Sequence, residues 1–218
     1  MGQQVVVIGL GRFGSALAEE LVRAGHEVMG VDTDHAVVQR MAPLLTHVVQ
    51  IDVMDETVVE SLGLSQFDAG VVGISEHIEA SILTTLLLKR AGVRRVIAKA
   101  NNALHGDILL RVGADRVVFP ERDTGQRLAH SWGSAEILDS LDVMPGYIVT
   151  RVGVPPAAVG QTIEQYMGAD SSSLTLFVIA RRGRVTVHPT SAEVLRDGDT
   201  LVLSGTIADV ERFFERHH

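Results

Sequence analysis

In the first half of the chain, short apolar runs alternate with longer segments of helical periodicity. The apolar runs have strand length and are rich in β-branched residues, and they cover residues 5–8, 28–31, 47–50, 69–74, 96–99 and 116–119. Between them, Asp34 is placed to cap one helix, Asp55 and Glu56 suit the first turn of a second, and Glu76 opens a third that ends before Gly92. Strands that alternate with helices predict a doubly wound, parallel α/β sheet.

The second half of the chain follows a different pattern. It predicts strands over residues 147–154, 174–180, 184–188 and 200–203, and helices over residues 124–132, over residues 162–167 and from residue 207. We interpret residues 196–199 as a hairpin turn without chemistry of its own, and Arg181 and Arg182 as a solvated strand end. The chain is therefore predicted to hold a Rossmann-like domain at residues 1–139 and a smaller α+β domain at residues 140–218.

The first predicted strand runs directly into a glycine-rich turn. Gly9 suits a tight turn, Gly11 lets a phosphate approach the bare backbone, and Gly14 lets the next helix pack close to the strand. The N–H groups and the dipole at the helix start then face the anion. The next strand leads to Asp32, whose carboxylate can hold a ribose. The pattern predicts a nucleotide site, and a glycine turn without a ligand is the alternative.

Further candidate contacts lie where the predicted strands end, because a doubly wound sheet binds its ligand at the carboxyl ends of its strands. Asp52 and Ser75 can form hydrogen bonds to a base or ribose, and Lys99 can lie near phosphates. Each has a structural alternative, since the first two can cap helices and a lone lysine is usually solvated. Ile74 can pack on the face of an adenine. The full candidate set is Gly9, Leu10, Gly11, Arg12, Phe13, Gly14, Asp32, Thr33, Asp52, Val53, Ile74, Ser75, Lys99 and Glu121.

Arg12 opens the first predicted helix, where a cation meets the positive end of the helix dipole. Such a position costs roughly a few tenths of a kcal/mol unless an anion is bound. A phosphate would remove that cost, which makes Arg12 a candidate phosphate ligand. An exposed arginine without a ligand is the alternative interpretation.

Composition narrows the classes of function. The chain has 218 residues, 46% of them hydrophobic, a net charge of −8 and no cysteine. We see no clustered basic face, so we expect no nucleic-acid partner, and the absence of cysteine excludes disulfides, a thiol nucleophile and cysteine-bound zinc. The apolar stretches are shorter than a membrane span and no signal peptide is recognised, so we expect a cytoplasmic protein.

Several segments together resemble the KtrA/TrkA-type RCK proteins, the cytosolic regulators of bacterial potassium uptake systems. In the first domain these are residues 9–14, 80–89, 98–101 and 113–125, and residues 160–163, 175–182, 189 and 197–205 fit the C-terminal RCK domain. The resemblance implies a regulator that performs no chemistry and binds ATP and ADP, sometimes NAD(H). It also implies dimers that assemble into an octameric ring under a membrane channel.

The resemblance also implies roles for single residues. Gly9, Gly11 and Gly14 would hold the phosphates and Asp32 the ribose. Arg12 would reach the terminal phosphate of a nucleotide in the neighbouring subunit, and Glu121 would bind a cation at the dimer interface. Subunits would pair through an apolar helix that contains Ile82, Leu83, Leu86 and Leu87, and through the region around Trp132. Some members bind cyclic di-AMP in the C-terminal domain, which here would involve Ile163, Ile179, Arg182, His188 and Pro189.

An NAD-dependent oxidoreductase is the main alternative, since dehydrogenases share the glycine pattern. Such an enzyme needs an acid or base beside the nicotinamide and a substrate pocket, and few residues remain after the first domain to supply them. The histidines are scattered without metal-ligand spacing and are interpreted as surface or helix-end residues. A ligand-sensing transcription factor is disfavoured because no segment has the size and basic face of a helix-turn-helix.

Overall fold

The computed structural model describes residues 2–54, 62–132, 137–168 and 173–217. The chain divides into two compact units, Met1–Pro120 and Glu121–His218. The predicted boundary after residue 139 differs from this division, because it falls inside a strand, Ile137–Met144, that pairs with the next strand of the second unit. None of the helices in the described part of the chain combines the length and apolar character that a membrane span requires.

The first unit contains a six-stranded parallel sheet with the order β3-β2-β1-β4-β5-β6. The strands are β1 (Gln4–Ile8), β2 (Glu27–Asp32), β3 (His47–Gln50), β4 (Ala69–Val72), β5 (Arg95–Lys99) and β6 (Arg116–Val118). The helices are α1 (Arg12–Arg23), α2 (His35–Met41), α3 (Ile78–Arg90) and α4 (Ala103–Arg111), with a 3-10 turn at Leu64–Gln66. The predicted doubly wound sheet is confirmed, and its order reverses between β1 and β4, where such sheets bind ligands.

Some predicted bounds in the first unit were wrong. β4 ends at Val72 and not at residue 74. The next residue, Gly73, packs so closely on the glycine turn that a Cβ there would lie 2.6 Å from the Gly9 carbonyl oxygen. The third predicted helix begins at Ile78 rather than near Glu76. Helix α4 had no prediction of its own. Asp34 caps α2 as predicted, its side chain accepting from the Ala36 N–H at 2.8 Å, while Asp55 and Glu56 lie outside the described residues.

Helix α3 has an unusual distribution of side chains. The residues that it buries include Ser81, Thr84 and Thr85, and Thr85 Oγ1 donates to the Ser81 carbonyl at 2.8 Å. The residues predicted to form its apolar pairing face are only half-buried: Ile82, Leu83, Leu86 and Leu87. The first unit therefore leaves an apolar helix face partly exposed.

The second unit is built on a five-stranded antiparallel sheet with the order β10-β9-β11-β8-β7. Its strands are β7 (Ile137–Met144), β8 (Tyr147–Gly153), β9 (Thr175–Arg181), β10 (Arg184–Val187) and β11 (Thr200–Thr206). Its helices are α5 (Pro120–Trp132), α6 (Ile163–Met167) and α7 (Ile207–His217), with a 3-10 turn at Pro156–Ala158. The predicted α+β class is confirmed. β7 was missed because its residues do not alternate between buried and exposed.

Arg181 is an ion-paired residue and not the solvated strand end that the sequence suggested. Its Nε and Nη2 donate to the two carboxylate oxygens of Asp199 at 2.7 and 2.8 Å, and its Nη1 donates to Glu193 at 3.0 Å. Burial raises the pKa of Asp199, but hydrogen bonds from Arg181 and from the Arg196 N–H outweigh burial and hold that pKa below its ordinary value. Asp199, in the turn over residues 196–199, thus holds Arg181 at the end of β9.

Candidate functional site

The glycine turn between β1 and α1 is built by close backbone contacts. Gly9 has a φ of +88°, and its N–H donates to the Val31 carbonyl at 2.8 Å. A Cβ on Gly14 would collide with the Gly9 carbonyl oxygen, so only glycine lets α1 pack against the turn. Around Gly11, by contrast, a Cβ would meet no atom within 4 Å. The turn is therefore tight on the inside and open above Gly11, where a phosphate group would approach.

The start of α1 has the features of an anion site. Gly11 is the N-cap residue and offers no side chain to the first N–H groups of the helix, and the first turn contains no acidic residue. Arg12 is exposed, and its guanidinium forms no hydrogen bond or ion pair with any residue that the structure describes. Both observations agree with the predicted phosphate subsite.

The carboxylate of Asp32 is fixed beside this turn. Its Oδ2 accepts from the Leu10 N–H at 2.7 Å and its Oδ1 accepts from the Asp34 N–H at 2.9 Å. Each oxygen of a carboxylate has a second lone pair, so both can still accept a hydrogen bond from a ligand. Asp32 thus links the glycine turn to the segment that follows β2, and these hydrogen bonds within the chain fix the orientation of its carboxylate.

Two residues near Asp32 were missed by the sequence analysis. Gln50, the last residue of β3, donates from Nε2 to the Thr33 carbonyl at 3.0 Å, and its Oε1 lies 3.1 Å from Nδ1 of His35. Because an amide oxygen only accepts, the His35 ring is the donor in that contact. The signal that could have found Gln50 is its position at the end of a strand next to β2, the same rule that selected Asp52.

The structure separates the remaining candidates into surface and core residues. Asp52 is exposed, and its Oδ1 accepts from the Met54 N–H at 3.0 Å. Val53 is buried in the core of the first unit, and Ile74 packs partly against the same core. Ser75 does not cap α3, whose N-cap residue is His77, and its carbonyl accepts from the Asn101 side chain. Val53 thus packs in the core, and its ligand role stays a prediction, as do those of Asp52, Ile74 and Ser75.

Lys99 is not a solvated lysine, because it is only 8% exposed at the end of β5. Its Nζ lies 6.0 Å from the centre of the Phe13 ring, in the first turn of α1. The fold therefore brings a cation from the end of β5 to the start of α1, which follows the glycine turn. This placement agrees with the predicted role of Lys99 near phosphates.

His105 is a buried histidine in the first turn of α4, only 2% exposed. Its Nδ1 lies 3.4 Å from the Asn101 N–H, and its Nε2 has no hydrogen-bond partner among the described residues. Burial lowers the pKa of His105, so the neutral ring is favoured. The interpretation of the histidines as surface or helix-end residues was thus incomplete for this one.

The candidates of the second unit are spread over its surface and its core. Glu121 is exposed in the first turn of α5. Ile163 and Ile179 pack in the core, whereas Arg182 and His188 are exposed and have positive φ values of 47° and 51°. No group of three or more potential metal ligands occurs within the described ranges. The predicted cation and cyclic di-AMP sites therefore stay predictions.

Comparison with known proteins decides the family. Residues 5–120 match the TrkA-N domain family. The chain is 37% identical over 216 residues to Ktr system potassium uptake protein C of Bacillus subtilis, covering 99% of this chain and 98% of that protein. It is 34% identical to Ktr system potassium uptake protein A of the same organism, with 97% and 95% covered. The chain belongs to the Ktr/TrkA family of potassium uptake proteins. The resemblance noted from the sequence is confirmed.

Solved structures place this Ktr/TrkA chain in the RCK fold. The GsuK RCK domain aligns with a TM-score of 0.67 at 18% identity, over 98% of this chain and 48% of that chain. The GsuK channel bound to NAD aligns with a TM-score of 0.52 at 24% identity, over 98% and 38%. GsuK bound to ADP aligns with a TM-score of 0.52 at 17% identity, over 62% and 36%. These similarities concern the fold, an α/β unit followed by a smaller unit.

Proposed function

We propose that this Ktr/TrkA chain is the nucleotide-binding regulatory subunit of a potassium uptake system and acts at the cytoplasmic face of the membrane through a membrane-embedded partner. The observation that carries the proposal is the open space above Gly11 beside the fixed carboxylate of Asp32. In a doubly wound sheet this pairing suits a pyrophosphate and its ribose. Family membership supports the link to potassium uptake.

The proposed ligands are ATP and ADP, with NAD(H) as a further adenine nucleotide. The N–H groups at the start of α1 would hold phosphates, and Lys99 would add positive charge at the same edge. Arg12 would reach the terminal phosphate of a nucleotide bound in a neighbouring subunit, which would make ATP and ADP distinguishable. We propose binding without catalysis, so that the nucleotide shifts the protein between conformations through its different affinity for each.

The proposed assembly is a set of dimers that form an octameric ring. Its support is the half-buried apolar face of α3, whose burial in a subunit contact would remove apolar surface from water. The proposal extends to a cation at Glu121 and to cyclic di-AMP near Arg182, His188 and Pro189, three exposed or half-exposed residues of the second unit. These two sites rest on the family resemblance.

Calorimetric titration of the purified full-length chain with ATP, ADP, NADH and cyclic di-AMP tests the ligand. We expect ATP and ADP to bind with one site per chain, and light scattering to show an oligomer with and without nucleotide. A monomer, or the absence of binding by any adenine nucleotide, would contradict the proposal. Sustained oxidation of NADH with a 2-oxo acid would instead favour the dehydrogenase alternative.

A further inference from the structure

The segment after β2 is held in place from the neighbouring strand. β2 and β3 pair in register, with Asp32 opposite Gln50, and the Ile51 N–H donates to the Asp32 carbonyl at 3.0 Å. From this position the Gln50 side chain reaches over the segment and contacts residues on both sides of Asp34. Its Nε2 donates to the Thr33 carbonyl, and its Oε1 accepts from Nδ1 of the His35 ring. One amide group therefore tethers the segment that leads away from the Asp32 carboxylate.

This tether lies where it can affect a ligand more than the fold. Gln50, Thr33 and His35 are all exposed, so their contacts add little to the stability of the first unit. Asp32, in contrast, accepts one of its two backbone hydrogen bonds from the Asp34 N–H, within the tethered segment. A segment that moved would shift that N–H and release one oxygen of the carboxylate.

We propose that Gln50 is a positioning residue for the ribose of the bound nucleotide: it fixes residues 33–35 so that the carboxylate of Asp32 faces the two ribose hydroxyls. Gln50 itself acts through Asp32 and need not touch the ligand. The inference rests on the proposed function, since it requires that an adenine nucleotide binds beside Asp32. It adds a determinant of ribose binding that lies on β3, outside the glycine turn.

The test compares two ligands that differ only in the ribose, ADP and 2′,3′-dideoxy-ADP. Calorimetry with the full-length chain measures both affinities for wild type, Gln50→Ala and Asp32→Ala. We expect Gln50→Ala to weaken ADP binding about three- to tenfold, the range expected for lost positioning hydrogen bonds. Binding of the dideoxy ligand should change less than about twofold, because the hydroxyls that Asp32 would hold are missing. Asp32→Ala should show the same ligand dependence with a larger loss for ADP.

Two further variants sharpen the test. Gln50→Glu keeps the size of the side chain but cannot donate to the Thr33 carbonyl, so it should also weaken ADP selectively. Gln39→Ala removes an exposed glutamine of α2 whose side chain forms no hydrogen bond to the described residues, and this variant should bind both ligands like wild type. Thermal unfolding of each variant checks that the fold is retained.

The outcomes separate the inference from the function that it rests on. Suppose that the wild-type chain binds ADP, but Gln50→Ala lowers the affinity for ADP and for the dideoxy ligand equally. The effect is then a general structural one, and it overturns the inference alone. Wild-type affinity for ADP in Gln50→Ala or Gln50→Glu would also overturn it. Failure of the wild-type chain to bind ADP would overturn the proposed function and the inference together.

Discussion

Two arginines, one in each unit, show how different surroundings give the same side chain different uses. Arg181 in the second unit donates to Asp199, to Glu193 and to the Val194 carbonyl, and it is only one quarter exposed. Arg12 in the first unit is exposed at the start of α1 and has no partner among the described residues. A guanidinium with all its partners supplied by the chain stabilises the fold, whereas one beside an uncapped helix start is ready for an anion.

The difference extends to one carboxylate in each unit. Asp199 is fully buried and accepts a bidentate pair from Arg181. Asp32 accepts only backbone N–H groups and is half-exposed, so its remaining lone pairs can reach a ligand. We therefore expect the buried, paired carboxylate of Asp199 to matter for stability and the backbone-held carboxylate of Asp32 to matter for ligand binding. Substitutions can test this division in both units.

The largest effect is expected for Asp199→Ala. The change leaves Arg181 without its bidentate partner, and breaking a buried ion pair typically costs about 3 kcal/mol or more. We expect the free energy of unfolding of the second unit to fall by that amount, measured by urea denaturation with intrinsic fluorescence. Nucleotide affinity of the first unit should not change. Asp197→Ala, at an exposed neighbouring carboxylate, is the control, and an equal loss in that variant would contradict the assignment.

Arg12→Ala should give the opposite result. We expect unfolding to be unchanged and ATP affinity to fall by about 1.5–3 kcal/mol, the value of a charge-assisted hydrogen bond, while ADP affinity stays the same. Calorimetry measures both nucleotides, and solution scattering measures the shapes of the two complexes, which should become alike. If the variant still binds ATP more tightly than ADP and still changes shape between them, Arg12 is an ordinary surface residue.

Gly11→Ala and Gly14→Ala should separate binding from folding within the glycine turn. A Cβ at Gly11 meets open space, so the fold should survive, while the methyl group should block the phosphate and weaken ADP binding at least tenfold, or about 1.4 kcal/mol. A Cβ at Gly14 collides with the Gly9 carbonyl oxygen, so Gly14→Ala should also lower the melting temperature. If Gly11→Ala binds ADP as tightly as wild type does, the glycine turn does not hold the phosphates.

The smallest effect concerns the onset of acid sensitivity in the two units. Burial lowers the pKa of His105 in the folded chain. As the pH falls below about 6.5, the imidazole is therefore protonated more readily in the unfolded chain than in the folded one, and the first unit should begin to lose stability. The lowered pKa of Asp199 acts in the same direction in the second unit, but only below about pH 4. Urea denaturation between pH 7 and pH 5 checks this, and His105→Gln should remove the slope in that window. A slope that persists in His105→Gln would assign it to another group.

The sequence predicted the parts of the fold that depend on local periodicity and on glycine chemistry. All six parallel strands, the tight turn at Gly9 and the cap at Asp34 follow from such signals and are present in the structure, although β4 ends at Val72 and not at residue 74. β7 could not be predicted in this way, because apolar and polar residues do not alternate regularly along its sequence, ILDSLDVM. Its pairing with β8 comes from hydrogen bonds between strands and not from a pattern within one of them.

Side-chain partners across the sheet were beyond prediction for a related reason. Arg181 and Asp199, like Gln50 and His35, lie far enough apart in the chain that only the folded register brings them together. Lys99 was a candidate from its position at a strand end, but its burial and its approach to Phe13 depend on how α1 packs over the sheet. The sequence thus identifies which residues lie at the edge, and the fold decides which of them meet.

The order in which the chain leaves the ribosome has a consequence for the Gly9 turn. β1 and β2 are made early, yet the other side of the turn is closed only when the Gly73 N–H donates to the Ile8 carbonyl at 2.7 Å, after β4 has been made. A nascent chain that ends before β4 therefore lacks one wall of the crevice. If nucleotide binds at this turn as proposed, it would therefore bind only to chains whose parallel sheet has already formed around β1, and not during the earliest steps of synthesis.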